Sequence, residues 1–345
     1  MTPLVRSASL TRFVEVAGEC GLDPRALVAA AGLPRRCLDD PDLMVPAQAV
    51  GRLLESAASK AGEPAFGLRM AESWRLSNLG PLGLLVRDKP TLRDALEAII
   101  ANLPRQNEAL SVGIEQVGNL VTIREELLDG GGGQLRQAIE LVVGVTYRIL
   151  SIFLGAGWRP RLVCFSHRAP ASTAVHHRVL GRAVEFGHEF NGIVCNADQL
   201  DAPNPGADPV MERYCRRLLE QSPRKKRLVS ERVREFVVLL LPRGHCRVQV
   251  VAHHLDVDRR TVARQLAAEG TSFSAIVDSV RTDLLSRYAR DGGRPLAEVS
   301  ALLGFSEPSA FSRWHRNRFG IPARKRLASK AHGTPQKRTP RIYAG

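Results

Sequence analysis

The last third of this chain contains one pattern twice. Val251-Ala252-His253-His254-Leu255-Asp256-Val257-Asp258, followed by Arg259–Leu266, recurs as Val299-Ser300-Ala301-Leu302-Leu303-Gly304-Phe305-Ser306, followed by Glu307–His315. Val251 answers to Val299, Leu255 to Leu303 and Val257 to Phe305 at a spacing of 48 residues. Past the turn the spacing is 49, so that Val262 answers to Phe311 and Arg264 to Arg313. One extra residue in the second turn accounts for the change.

Each copy has the grammar of a helix-turn-helix. Small or branched residues (Ala252 and Leu255; Ala301 and Leu302) let two helices approach closely. A tight connection follows, in which Gly304 supplies a permissive backbone, and Val257 or Phe305 plugs the angle between the helices. Asp258 and Ser306 suit the N-cap of the second helix. Val262 and Leu266, or Phe311 and Trp314, then face the core, which turns a defined set outward: Arg259, Arg260, Thr261, Ala263 and Arg264 in the first copy, and Pro308, Ser309, Ser312, Arg313 and Arg316 in the second. Arginine pairs bidentately with guanine in the major groove, and Ser and Thr reach bases or phosphates. A pair of merely solvated helix faces would not require aligned plugs and caps in both copies. Between them, apolar Phe273, Ile276, Val277, Val280, Leu284, Leu285 and Tyr288 predict one long helix, Phe273–Arg290, able to hold two recognition helices in successive major grooves roughly 34 Å apart.

Charge points to the same partner. Residues 1–223 hold 24 Lys and Arg against 25 Asp and Glu, whereas residues 224–345 hold 25 against 10, so the whole-chain excess of +14 lies in the last third. A surface this basic attracts polyanions, double-stranded DNA above all. Arginine interleaved with apolar helix positions, rather than massed on one face, argues against an anionic membrane. No run of eighteen apolar residues predicts a membrane span, and the N-terminus lacks a secretory pattern. Cys20, Cys37, Cys164, Cys195, Cys215 and Cys246 are scattered without a C-x-x-C pair, which suits free thiols in a reducing cytoplasm.

Upstream, periodicity predicts helices over Leu10–Ala17, Arg25–Ala31, Ala47–Ala58 and Leu92–Leu103, with Asp23 and Thr91 as caps and Pro24 and Pro46 at helix starts. Leu110–Glu115 and Leu120–Glu125 flank Val117-Gly118-Asn119 as a hairpin. Gly130–Gly133 breaks the chain before an apolar helix, Gln134–Leu154. Strands are expected at Arg161–His167, Ala183–Phe186 and Gly192–Cys195, with a helix over Ser172–Leu180 and all strands antiparallel. The fold class is therefore an α+β domain followed by an all-α domain with two helix-turn-helix units joined by a long helix. After the turn-rich Pro203–Asp208 and a helix over Pro209–Leu219, the composition changes at Gln221–Arg227. The expected domains are residues 1–220 and 221–328, with a basic, disordered tail at 329–345.

Catalytic signatures are missing: no G-x-S-x-G, H-E-x-x-H, P-loop or complete G-x-G-x-x-G. The pairs His176-His177 and His253-His254 point about 100° apart on a helix, so each reads as one packed and one exposed histidine rather than a metal site. No catalytic residue, metal ligand or cofactor is assigned. Arg105, Trp74 and Trp158 are conceivable pocket residues, although structural roles weigh more. An enzyme in the N-terminal domain and a nucleoid-type DNA binder without sequence preference are the rival readings.

At these residues the chain resembles the AraC/XylS transcription regulators. The resemblance is carried by D-R-R-T-V-A-R-Q-L-A-A-E-G-T-S-F (Asp258–Phe273), the pair Asp278 and Arg281, and above all L-L-G-F-S-E-P-S-A-F-S-R (Leu302–Arg313). G-P-L-G-L-L (Gly80–Leu85), P-R-L-V-C-F-S-H-R-A-P (Pro160–Pro170), V-E-F-G-H-E-F-N-G-I (Val184–Ile193) and L-D-A-P-N-P (Leu200–Pro205) resemble the subfamily with an arabinose-binding-type N-terminal domain. The resemblance implies an effector-sensing, dimerising N-terminal domain and a cytoplasmic activator that works with RNA polymerase. It places Arg260, Ala263 and Arg264, and Pro308, Ser309, Ser312 and Arg313, at base-reading positions. The effector itself is unknown. The chain departs from the family at its close, F-G-I-P-A-R-K-R-L (Phe319–Leu327), and at His315, where an apolar residue is usual.

Overall fold

The computed structural model describes residues 3–127, 135–221, 228–244, 246–255, 257–291 and 294–323. Gly130–Gly133, the junction after Gln221, the tail and Arg326 lie outside them. The N-terminal half is α+β. Strands β1 (Leu4–Arg6) and β2 (Met44–Pro46) form a short antiparallel pair, and β3 (Leu110–Val117), β4 (Leu120–Leu127), β5 (Leu162–Phe165), β6 (Val184–Phe186) and β7 (Asn191–Asn196) form a sheet of order β3-β4-β7-β5-β6.

The hairpin forms as its alternation dictates, with Gly118 at positive φ in a two-residue turn. The expectation of antiparallel strands fails at one pair: β5 and β6 run parallel. A parallel pair needs a crossover rather than a tight turn, and the helix Ala174–Leu180 provides it. Other predicted elements shift at their ends. The first helix begins at Phe13 after a 3-10 turn, Ser7–Leu10. Asp23 accepts from the N–H groups of Arg25 and Ala26, and Thr91 accepts from Asp94 N–H in a reciprocal capping box. Helices Phe66–Ala71, Pro81–Arg87 and Val229–Leu240 were not read from the sequence. Phe66–Ala71 and Pro81–Arg87 are too short to show a period, whereas Val229–Leu240 does carry one, with Val233, Val237 and Leu240 buried at helical spacing.

The helix Arg136–Leu154 organises this half. By length and composition it is apolar enough to cross a membrane, yet over half of that stretch is buried inside the protein. Ile139, Val143, Tyr147 and Leu150 join the core against the sheet, and Leu141 joins a second core of helices near the N-terminus. Helix Phe66–Ala71 crosses it so closely that a Cβ on Gly67 would lie 2.0 Å from the Gln137 carbonyl oxygen. Only glycine fits there.

The C-terminal part is all α. Its core draws on Val233 through Ala323 and is distinct from the two N-terminal cores. The predicted long helix is present as Phe273–Asp291, with Ile276, Val280, Leu285 and Tyr288 buried along it. All six cysteines are free. Burial pushes the thiols of Cys164 and Cys195 up to about 12, which keeps them protonated and unreactive.

Candidate nucleic-acid interface

The first unit consists of helix Val248–His254 and recognition helix Arg259–Ala268. Val251 and Ala252 are buried, the Val257 N–H closes the turn on the Ala252 carbonyl at 3.1 Å, and Val262 and Leu266 anchor the recognition helix in the core. Asp258 caps that helix as its chemistry requires, accepting from Thr261 N–H at 2.8 Å and from the Thr261 hydroxyl at 3.0 Å. Those bonds, with a further pull from Arg264, hold its carboxyl below the usual carboxylate range.

The second unit repeats the arrangement with different atoms. Helix Leu296–Leu302 leads to recognition helix Pro308–Phe319, and the Phe305 N–H closes on the Ser300 carbonyl at 3.1 Å. Gly304 adopts φ 70°, and a Cβ there would meet the Leu241 carbonyl oxygen at 2.8 Å. Three sequence assignments need correction in this unit. Ser300 rather than Ala301 occupies the close-approach position, being 1 % exposed while Ala301 faces solvent. Glu307 rather than Ser306 is the N-cap, without a side-chain capping bond to the backbone: its carboxylate accepts from the Ser309 hydroxyl, and Pro308 starts the helix with a pre-set φ. His315 rather than Trp314 takes the place of Leu266: His315 is fully buried, and Trp314 is half-buried. The second and third follow from the extra residue lying before the cap, whereas Ser300 answers to Ala252 at the upstream spacing of 48.

His315 does not spoil the core. Its Nδ1 lies 2.9 Å from the Ile321 carbonyl oxygen, and its ring packs against Phe311, Trp314 and Phe319. Ala323 is buried in the same core. Asp278 and Arg281, on the long helix, grip this unit from behind. Trp314 Nε1 donates to Asp278 at 3.0 Å, and Arg281 Nε donates to the Leu303 carbonyl at 3.0 Å with its guanidinium 4.0 Å over the Phe305 ring.

Arg259, Arg260, Ala263 and Arg264 are exposed on the first recognition helix, with Thr261 half-buried; Pro308, Ser309, Ser312, Arg313 and Arg316 are exposed on the second. Ser309 donates to Glu307 at 3.0 Å and Ser312 to the Pro308 carbonyl at 2.9 Å, so both hydroxyls have local partners. Among the described residues, no hydrogen bond or salt bridge holds the side chains of Arg259, Arg260, Arg264, Arg313 or Arg316. Of the histidine pairs, His176 is buried and His177 exposed, whereas His253 and His254 are both exposed, because His254 lies flat on Phe236 at the surface rather than entering the core.

The two halves touch through the sheet. Leu239 lies against Gly113 of β3, Arg287 Nη2 bonds Glu126 of β4 at 2.6 Å, and Arg294 Nη2 donates to the carbonyls of Ser166 and His188 at 2.9 and 2.7 Å.

Residues 21–204 match the model of the arabinose-binding domain at the N-terminus of AraC transcription regulators, and residues 251–328 match a helix-turn-helix domain. The chain is also similar to the HTH-type transcriptional regulator VirS of Mycobacterium tuberculosis, at 30% identity over 93% of this chain and 96% of that one. The chain belongs to the AraC family of transcription regulators. Another relative is the ornithine utilization regulator of Pseudomonas aeruginosa, 26% identical over 91% of this chain and 93% of its own length. A solved structure, the transcriptional regulator CdpR of Pseudomonas aeruginosa, aligns with 88% of this chain and 96% of its own at 21% identity and a TM-score of 0.43. As an AraC-family member, the protein is a sequence-specific DNA-binding regulator with an N-terminal ligand-binding domain.

Proposed function

We propose that this regulator is an activator controlled by a small-molecule effector, and that it reads DNA with the exposed faces of Arg259–Ala268 and Pro308–Phe319. Base reading is assigned to Arg260, Ala263 and Arg264 in the first unit and to Pro308, Ser309, Ser312 and Arg313 in the second; Arg259, Thr261 and Arg316 flank them toward the phosphates. Ala263 has no hydrogen-bonding group and is limited to a thymine methyl. The observation that carries this reading is the set of exposed arginines on the two recognition helices, Arg259, Arg260, Arg264, Arg313 and Arg316 among them, whose side chains no hydrogen bond or salt bridge holds among the described residues. An exposed guanidinium fork is free for guanine or phosphate.

The N-terminal residues, to about 220, serve as sensor and dimerisation domain rather than as an enzyme, which is the role consistent with relatives that are regulators. The protein acts in the cytoplasm, on the nucleoid when bound, with RNA polymerase as its partner at promoters. Genome-wide mapping of bound DNA, with and without candidate metabolites, tests this. We expect a shared motif with two elements about one helical turn apart and occupancy that changes with one metabolite. Occupancy without a motif, falling only with salt, would favour a nucleoid-type binder.

A further inference from the structure

The sheet stands between the DNA-binding part and a cavity. On β4, successive side chains point to opposite faces. Glu126 points to the side where Arg287 and Leu239 dock, while Glu125, in register with Val112, points to the side of helix Arg136–Leu154. On that side lies a cavity of about 150 Å³, walled largely by aliphatic side chains such as Leu96, Ile100, Ile114, Ile123 and Val145, with Trp74 in the wall. Of the three residues the sequence offered for a pocket, only Trp74 lines it. Arg105 donates to the Leu219 carbonyl and Trp158 to Gln199.

The polar groups of the wall are mostly engaged. Arg6 donates to the Asn78 carbonyl at 3.2 Å and to Gln106 at 2.6 Å and pairs with Asp42 at 2.5 Å. Asn78 donates to Thr11 at 3.1 Å, Gln106 to the Leu79 carbonyl at 3.2 Å, and Thr146 to Glu125 Oε1 at 2.5 Å. Among the described residues, two buried oxygens of wall residues have no hydrogen-bond partner: Ser9 Oγ and Glu125 Oε2, the latter on a residue only 1 % exposed. Burying a polar atom without a partner is unfavourable, so two such atoms on residues that line one apolar space are a recognition feature rather than a neutral one.

We infer that this cavity is the effector site, and that its ligand is a small, largely apolar molecule bearing one or two oxygens, received by Glu125 Oε2 and Ser9 Oγ. The inference rests on the reading that the N-terminal domain senses an effector. A void of this volume takes a benzene-sized body, so the ligand has on the order of six to ten non-hydrogen atoms. A sugar does not suit it. With a hydroxyl on nearly every carbon, a pentose would leave most of its polar groups against aliphatic walls.

Protonation sets which ligand oxygen fits. Burial, opposed by the Thr146 hydrogen bond and reinforced by the neighbouring Glu126 charge, raises the Glu125 carboxyl to about 7. Oε1 already accepts from Thr146, so the proton resides on Oε2 and is donated to a ligand acceptor. Arg6 is the only other ionisable residue of the wall, and Asp42 compensates it. Binding of an acceptor therefore requires the protonated acid: it is strong below pH 7 and fades as the pH rises through that value. The back of the same strand holds the Glu126–Arg287 bond, so a ligand that shifts β4 is felt directly by the long helix that carries both recognition helices.

The test is calorimetric titration of the full chain with acetophenone, ethylbenzene and L-arabinose. Acetophenone and ethylbenzene share an aromatic body and differ by the carbonyl oxygen. Acetophenone should bind about five- to tenfold more tightly than ethylbenzene at pH 6, lose that advantage by pH 8.5, and leave L-arabinose without measurable binding. Glu125→Leu should erase the advantage at every pH. Glu125→Gln, which keeps an N–H donor and the shape of the site, should preserve the advantage and lose its pH dependence. Tighter binding of L-arabinose, equal binding of the two aromatic probes, or a Glu125→Gln variant that still titrates near pH 7 would overturn the inference. Operator affinity measured with and without acetophenone separates the two levels: binding without a change in DNA affinity leaves the site standing and removes the control assigned to it.

Discussion

The two helix-turn-helix units are one pattern executed in two chemistries. In the first, aliphatic Val262 and Leu266 anchor the recognition helix, an aspartate caps it, and three arginines face outward. In the second, Phe311 and His315 do the anchoring, Pro308 starts the helix without a side-chain cap, and the outward face mixes hydroxyls with Arg313 and Arg316. The second is also tied to the long helix by Asp278 and Arg281. The difference teaches that a repeat conserves the geometry of helix crossing, while cap, core and exposed face vary independently. We propose that the larger share of DNA affinity lies with the first unit, whose exposed arginines begin at the start of its recognition helix, whereas Arg313, Arg316 and Arg318 are exposed further along the second.

The largest expected effect breaks the comparison at its cores. Phe311→Ala should cost about 3–5 kcal/mol of stability, because it empties the centre of an aromatic cluster. Leu266→Ala should cost about 2–5 kcal/mol, toward the lower part of that range, since its aliphatic neighbours can close in. Urea unfolding followed by circular dichroism and tryptophan fluorescence measures both. A Leu266→Ala cost above that of Phe311→Ala would reverse the assignment of the heavier core to the second unit.

A smaller effect separates the faces. Arg264→Ala should weaken operator binding by about 1–3 kcal/mol, with Arg313→Ala nearer the low end of that range. Titration of labelled operator and of random duplex at fixed salt reads both. Equal losses in the two units would remove the ranking.

The smallest effect separates the caps. Asp258→Ala should lower the melting temperature by a few degrees, since the Thr261 N–H loses its acceptor. Glu307→Ala should leave it unchanged. The Asp258 carboxyl lies below its unfolded value in the folded protein, so its contribution is present above the unfolded carboxylate range and is lost as the pH falls through the folded value. The difference between the two cap variants should therefore shrink in acid. A Glu307→Ala variant that melts as early as Asp258→Ala would show that the second helix is capped after all.

Much of this was legible in the sequence, because the repeat is periodic and periodicity reports helices. The long helix, the hairpin and the outward-facing arginines all follow from spacing. Register within the second unit did not. The extra residue can be counted but not placed, so Ser306 and Trp314 stand in for Glu307 and His315; Ala301 stands in for Ser300 for a different reason, being its more apolar neighbour, although Ser300 answers to Ala252 at the spacing of 48. The parallel β5–β6 pair was hidden because strand direction depends on the crossover helix, whose signal is local. Asp278 and Arg281 were visible as a motif, but their grip on Trp314, Phe305 and the Leu303 carbonyl exists only in three dimensions. Of the cavity, the sequence offered Trp74 alone, since Glu125 looks like any other polar residue of an alternating strand.

The central claim is that two unequal recognition helices read base sequence. It is tested most directly by measuring wild type, Arg264→Ala and Arg313→Ala against the same operator and a random duplex of equal length, at one salt concentration. The account predicts a loss on operator for each variant that exceeds its loss on random DNA, with the greater excess for Arg264→Ala. Equal losses on operator and random DNA for both variants would contradict base reading by these helices.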